Sequence, residues 1–227
     1  MLRAAALVAG KDLRIEARSR VATNQVVPFA FCILLVFAFA LDPDRGTLSA
    51  AAPGLYWVAI LFATVLAAQR SFGVEGGDGT RDALRLSGLE PAGVFLGKAG
   101  ALAVQLLALE VLLGIGVVVL YTTDLRAGGA LLMIACALVT MAGLAATSTL
   151  FGALSAGVRV RETLLPLLLI PTVTPVLIGA TRAYEAALGT GGASTSEGWP
   201  WVGLVGVFAL AYGAFGLLGF ATLMEEA

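Results

Sequence analysis

The chain contains no histidine. That absence removes the commonest metal and haem ligand, and the side chain best suited to general-base work at neutral pH. Charge is also scarce. Only 13% of the 227 residues are Asp, Glu, Lys or Arg, against about 25% in an ordinary soluble domain. With a net charge of −1 and no basic run, the sequence has no footprint for nucleic acid. The phosphate-binding loop is missing too. The nearest approach runs from Ala92 to Gly97, Lys98 and Ala99, but such a loop needs Gly at 92 and Ser or Thr at 99. If ATP drives this protein, another subunit binds it. The two cysteines, Cys32 and Cys136, lie inside apolar runs with neither metal-ligand spacing nor a CxxC pairing. No cofactor is expected, and no catalytic group stands out.

What the chain has in abundance is apolar sequence, 59% of all residues. Crossing a bilayer takes about 20 consecutive apolar residues as a helix. Six stretches qualify: 21–41, 52–72, 99–120, 128–156, 164–181 and 199–224. They are too long for barrel strands, and backbone groups in lipid must be satisfied within their own segment. The fold class is therefore an all-α membrane protein, with residues 1–227 forming one transmembrane domain. Ala38-Phe39-Ala40 imitates a signal-peptidase site. The segment before it is long and carries Asp12 and Glu16, unlike the short, acid-poor start of a signal peptide, so the first span reads as retained.

Eleven of the fourteen Lys and Arg residues fall on one side of this arrangement: five up to Arg20, then Arg70, Arg81, Arg85, Lys98, Arg159 and Arg161. Arg45, Arg126 and Arg182 fall on the other. The positive-inside rule then puts both termini in the cytoplasm. Residues 1–20 read as an interfacial helix, with Leu2, Ala5, Ala6, Ala9 and Leu13 as its apolar stripe. Gly189–Gly198 reads as a mobile Gly/Ser/Thr loop on the outer side, and Lys98 as a side chain snorkelling to the interface.

Three features inside the spans bear on function. Glu110 lies eleven residues beyond Ala99, about 16 Å into the membrane. A carboxylate there is costly unless it is neutral, paired or wetted. It reads either as a polar contact in a substrate path or between subunits, or as a neutral or shallow Glu; Gln105 is near in sequence but on another face. Pro166, Pro171 and Pro175 should kink or break the fifth span, with Thr172 and Thr174 able to satisfy freed carbonyls. Gly203, Gly206, Gly213, Gly216 and Gly219 suggest close helix packing in the sixth.

The sharpest segment follows the second span. Arg70 and Phe72 leave the membrane. Glu75, Asp78, Gly79 and Thr80 then precede Arg81-Asp82-Ala83-Leu84-Arg85-Leu86. Asp78 or Thr80 can cap a short helix here, which Pro91 would terminate. A short, capped, charged helix between two spans suits contact with a soluble motor.

The same segment carries a resemblance. Ala52-Pro53-Gly54, Trp57-Val58-Ala59, Arg70-Ser71-Phe72, Glu75, Asp78-Gly79-Thr80 and Leu84 resemble the permease subunit of the cytochrome c maturation system, the haem exporter protein B (CcmB) family. Phe151-Gly152-Ala153-Leu154 and the run from Leu165-Pro166 to Pro175 continue it. Glu75 stands where the family pattern suggests Asp, keeping the charge. The resemblance implies an ABC-type permease without catalysis of its own, in a bacterial inner membrane. It implies a cytoplasmic ATPase subunit, often two permeases with two ATPases, further cytochrome c maturation membrane subunits and a haem chaperone. It also implies that Arg70, Phe72, Glu75, Asp78, Gly79, Thr80 and Leu84 form the ATPase-coupling element. Direct haem ligation finds no support, because Cys32, Cys136, Met133 and Met141 are scattered. A permease of another ABC exporter, moving lipid or drug, would share these features. A non-transporting scaffold would need neither the proline-rich span nor a docking helix.

Overall fold

A computed structural model describes residues 1–20, 22–41, 45–73, 88–121, 128–155 and 161–226. Seven α-helices account for nearly all of them. They are α1 (Leu2–Ser19), α2 (Val27–Ala40), α3 (Arg45–Gly73), α4 (Pro91–Tyr121), α5 (Gly129–Ser155), α6 (Arg161–Leu188) and α7 (Thr195–Glu226). A π-helical turn, Ala22–Val26, leads into α2, and a 3₁₀ turn, Thr190–Gly192, precedes α7.

Five helices, α3 to α7, are each long and apolar enough to cross a membrane. The chain is a multi-pass, all-α membrane protein. The first expected span departs from a straight rod. α2 has 14 residues, only about 21 Å at 1.5 Å per residue. Taken with α1 it passes the same length test, but the pair is bent by 55°. The sequence's apolar run over 21–41 is thus split between a π turn and a short helix.

Helix ends differ from expectation for local reasons. α4 starts about two turns early because Pro91 takes a first-turn position, where a missing N–H costs nothing, and the Glu90 carbonyl accepts from the Val94 N–H at 3.1 Å. α6 runs on past 181 until Gly189, whose φ of 70° gives a left-handed stop. The expected loop over 189–198 is therefore largely ordered structure. Ser194 donates to the Glu197 carboxylate at 2.8 Å as α7 begins.

The main core joins α2 to α6 around Trp57, Ile60, Leu102, Leu113, Leu144 and Leu169, all fully buried. α5 is central and has many small residues on its buried positions. A second cluster, with Val8, Phe72, Phe95, Ala153 and Phe220, closes the end of the bundle that bears α1. α7 is the least buried of the five long helices. Its glycines divide accordingly. Gly216 abuts the Phe95 ring and Gly206 lies near Val139, but Gly203, Gly213 and Gly219 face open space. Close packing thus explains only part of that stripe.

α1 packs on α4 through Ala4 and Val8, which sit over Gly93 and Gly97, where any added Cβ would collide. The face packed on α4 is that of Ala4 and Val8, while Leu2 and Ala6 of the apolar stripe are exposed.

Candidate functional site

Two groups of charged and polar side chains stand out among the described residues of the apolar bundle. One lies at the end bearing α1. Lys98 is buried, 4% exposed, and does not snorkel. Its Nζ is 3.6 Å from Asp12 Oδ2 and 5.0 Å from the centre of the Phe72 ring. An ammonium over a ring face gains from the ring quadrupole, more so when desolvated. Phe72 is itself buried, and its ring rests on Gly152 of α5. One cation thus gathers α1, α4 and the last turn of α3. The N-terminal ammonium adds a second tie, 2.6 Å from the Glu90 carboxylate ahead of α4.

Beside Phe72, a cavity of about 420 Å³ is lined by Gln25, Gln69, Arg70, Ser155 and Glu162, with aliphatic neighbours. Gln69 Nε2 donates to the Glu162 carbonyl at 2.7 Å. That carbonyl is the one deprived of its helical donor by Pro166, four residues on. The other two prolines lie within the same helix, which runs on through all three, from Arg161 to Leu188. Thr172 and Thr174 bond the carbonyls of Leu168 and Ile170 at 2.8 and 2.7 Å. Those are the ordinary four-residue partners, not the carbonyls that Pro171 and Pro175 leave open. Of the expected coupling residues, Arg70 and Phe72 are placed here, while Glu75, Asp78, Gly79, Thr80 and Leu84 lie outside the described residues.

The second group surrounds Glu110, which is 4% exposed in the middle of α4. Tyr184 of α6 donates its hydroxyl to Glu110 Oε1 at 2.8 Å, and Tyr56 of α3 donates to the Glu110 backbone carbonyl at 3.0 Å. The two phenol rings stack with centroids 5.5 Å apart, and Trp57 meets both edge-on at 5.3 and 5.0 Å. Three helices are thereby joined at one residue, α6 through its carboxyl and α3 through its backbone carbonyl. Gln105 is not among the hydrogen-bond partners of Glu110 in the described residues. Glu110 Oε2 and Trp57 Nε1 have no hydrogen-bond partner among the described residues. Cys136 sits close by on α5, its Sγ 3.7 Å from Thr140 Oγ1.

Reading the sequence missed Tyr184, Gln69 and the Asp12–Lys98 pair. Tyr184 fell beyond the apolar run that ended at 181. Lys98 was a signal in its own right, a lone cation ahead of an apolar helix, and needed an acid that only the fold could supply.

A sequence profile described as CcmB protein matches residues 3–224. The chain belongs to the CcmB family. It is similar to proteins named heme exporter protein B in three bacteria. That of Paracoccus denitrificans is 27% identical over 216 residues, covering 93% of both chains. Those of Haemophilus influenzae and Bradyrhizobium diazoefficiens are each 28% identical and cover 78% of this chain and 79% of theirs. In this chain the Arg70-Ser71-Phe72 stretch lies in the last turn of α3 at the polar cavity, and Tyr56 and Trp57 supply two of the rings around Glu110.

Proposed function

We propose that this chain is the permease subunit of an ABC-type complex serving c-type cytochrome biogenesis, in haem export or haem chaperone release. It has no catalysis of its own, and a separate cytoplasmic ATPase drives it. The family membership over nearly the whole chain carries this reading. In it, the protein lies in a bacterial inner membrane with both termini cytoplasmic and six crossings, the first over residues 21–41. α1 lies along the cytoplasmic interface. Two copies pair with two ATPases, alongside other maturation subunits and a haem chaperone.

The coupling element in this proposal runs from Arg70 to Leu84. Glu75, Asp78, Gly79 and Thr80 meet the motor, and Arg70 and Phe72 form the root. Phe72 is held inside the subunit, against Gly152 and Lys98, so its part is to anchor that root rather than to touch the motor. Gln69 ties the same root to the start of α6, a connection that would carry motion into the bundle. Haem ligation by this subunit is no part of the proposal, since the chain has no histidine.

The test is co-purification of the ATPase with the Asp78→Lys chain, with Arg126→Ala as control. Loss of the ATPase from a variant that still folds in the membrane is the expected result. Retention at control levels, with unchanged complex-dependent hydrolysis, would overturn the assignment.

A further inference from the structure

The half of the bundle away from α1 holds a cavity of about 360 Å³ between α3, α4, α5 and α6. Its polar lining comes from Tyr56, Glu110 and Tyr184; the remaining residues around it are apolar. Val111 of α4 and Ile134 and Leu138 of α5 line it while being exposed on the bundle surface. The cavity therefore has a sideways opening between α4 and α5, on a face that a membrane-spanning bundle turns to lipid. Gly114 lines it as well, with nothing within 4 Å of where a side chain would start.

The chemistry of the inner wall is one-sided. Both phenol hydroxyls are spent as donors on Glu110. The carboxyl's second oxygen has no partner among the described residues, and the side chain is more than nine-tenths buried. A buried oxygen without a partner is costly, because it has lost water and gained nothing in exchange. A donor brought by a ligand would remove that cost, reaching Oε2 by a turn of the carboxyl. No described Lys or Arg lines the cavity to serve instead.

We propose that this lateral cavity binds a bilayer-dissolved amphiphile with one apolar chain and a small hydroxyl- or amine-bearing head. The head donates to Glu110, and the chain leaves between Val111, Ile134 and Leu138. The volume falls in the range of small-molecule sites, about 300–1,000 Å³. This site is remote from the coupling root at Arg70, so failure of the ATPase assignment would leave it standing.

The experiment uses the full chain in lipid nanodiscs with a dodecanol carrying a diazirine in its tail. Adducts are mapped by mass spectrometry after illumination. Labelling should concentrate on Val111, Ile134 and Leu138 relative to Leu210 and Leu218, which are exposed on α7. Unlabelled dodecanol or dodecylamine should compete, telling a hydroxyl from an amine head, and dodecane should not. Glu110→Leu should cut labelling in the cavity about fivefold, the loss of one hydrogen bond. Gly114→Leu fills open space without touching the hydrogen bonds, so it should fold and cut the same labelling about as strongly. Equal labelling of α7, competition by dodecane as strong as by the alcohol, or indifference to both substitutions would overturn the proposal and leave ordinary annular lipid.

Discussion

The ammonium of Lys98 lies 3.6 Å from the carboxylate of Asp12, 86 positions earlier in the chain, and both groups are largely withdrawn from solvent. Removing one member of a buried pair strands the other, which is why such deletions cost more than the pair itself contributes. Asp12→Ala should therefore destabilise the chain by roughly 3 kcal/mol. Lys98→Met, which removes the buried cation while retaining an apolar side chain, should cost clearly less. Thermal unfolding in detergent compares the two. Negligible loss in both variants would mean that α1 is held without the Lys98–Asp12 pair.

Tyr184 and Glu110 offer a second measurement. Tyr184→Phe keeps the stacked ring and deletes only the donor. Hydrogen bonds between membrane helices average about 0.6 kcal/mol and reach about 1.7, so a loss near 1 kcal/mol is expected. In a double-mutant cycle with Glu110→Leu, the two losses should fall short of additive by a similar amount. Strict additivity would show that the bond carries no stability.

Gly152 and Phe72 predict a suppressor pair. A Cβ at 152 would overlap the Phe72 ring, so Gly152→Val should sharply reduce the yield of folded protein. Adding Phe72→Ala vacates the ring's volume and should restore much of it. Failure of the second change to help would place the steric conflict elsewhere.

Topology is open to reporter fusions. Fusions after Asp44, Arg126 and Gly192 should report the outer side, and those after Gly77 and Arg159 the cytoplasm. The motive is the eleven-to-three division of Lys and Arg. An outer signal at Gly77 would reverse the orientation and remove the motor contact with it.

Helix content was legible because lipid leaves the backbone few alternatives, and long apolar runs announce themselves. Helix ends were less so. Apolarity stops at the membrane boundary, whereas a helix stops at a cap, as Pro91 and Gly189 show. The first span was hardest, because an apolar run cannot reveal a π turn at 22–26. The prolines of α6 were read from their local cost alone. The compensation at Glu162 comes from Gln69, 93 positions away, which no local reading could supply. At Glu110 the sequence announced an anomaly, a buried acid, and left its partners open. Tyr56 and Tyr184 reach it only because α3, α4 and α6 meet there.

The bond from Gln69 to the Glu162 carbonyl fastens the last turn of α3 to the first turn of α6. Segment 74–87 departs just after the one, and segment 156–160 arrives just before the other. A pull on either connection therefore has a crossbar to the other, one side chain long, without travelling the length of two helices. Replacing Pro166 with leucine would hand that carbonyl a competing donor from its own helix, and the crossbar would then share its anchorage.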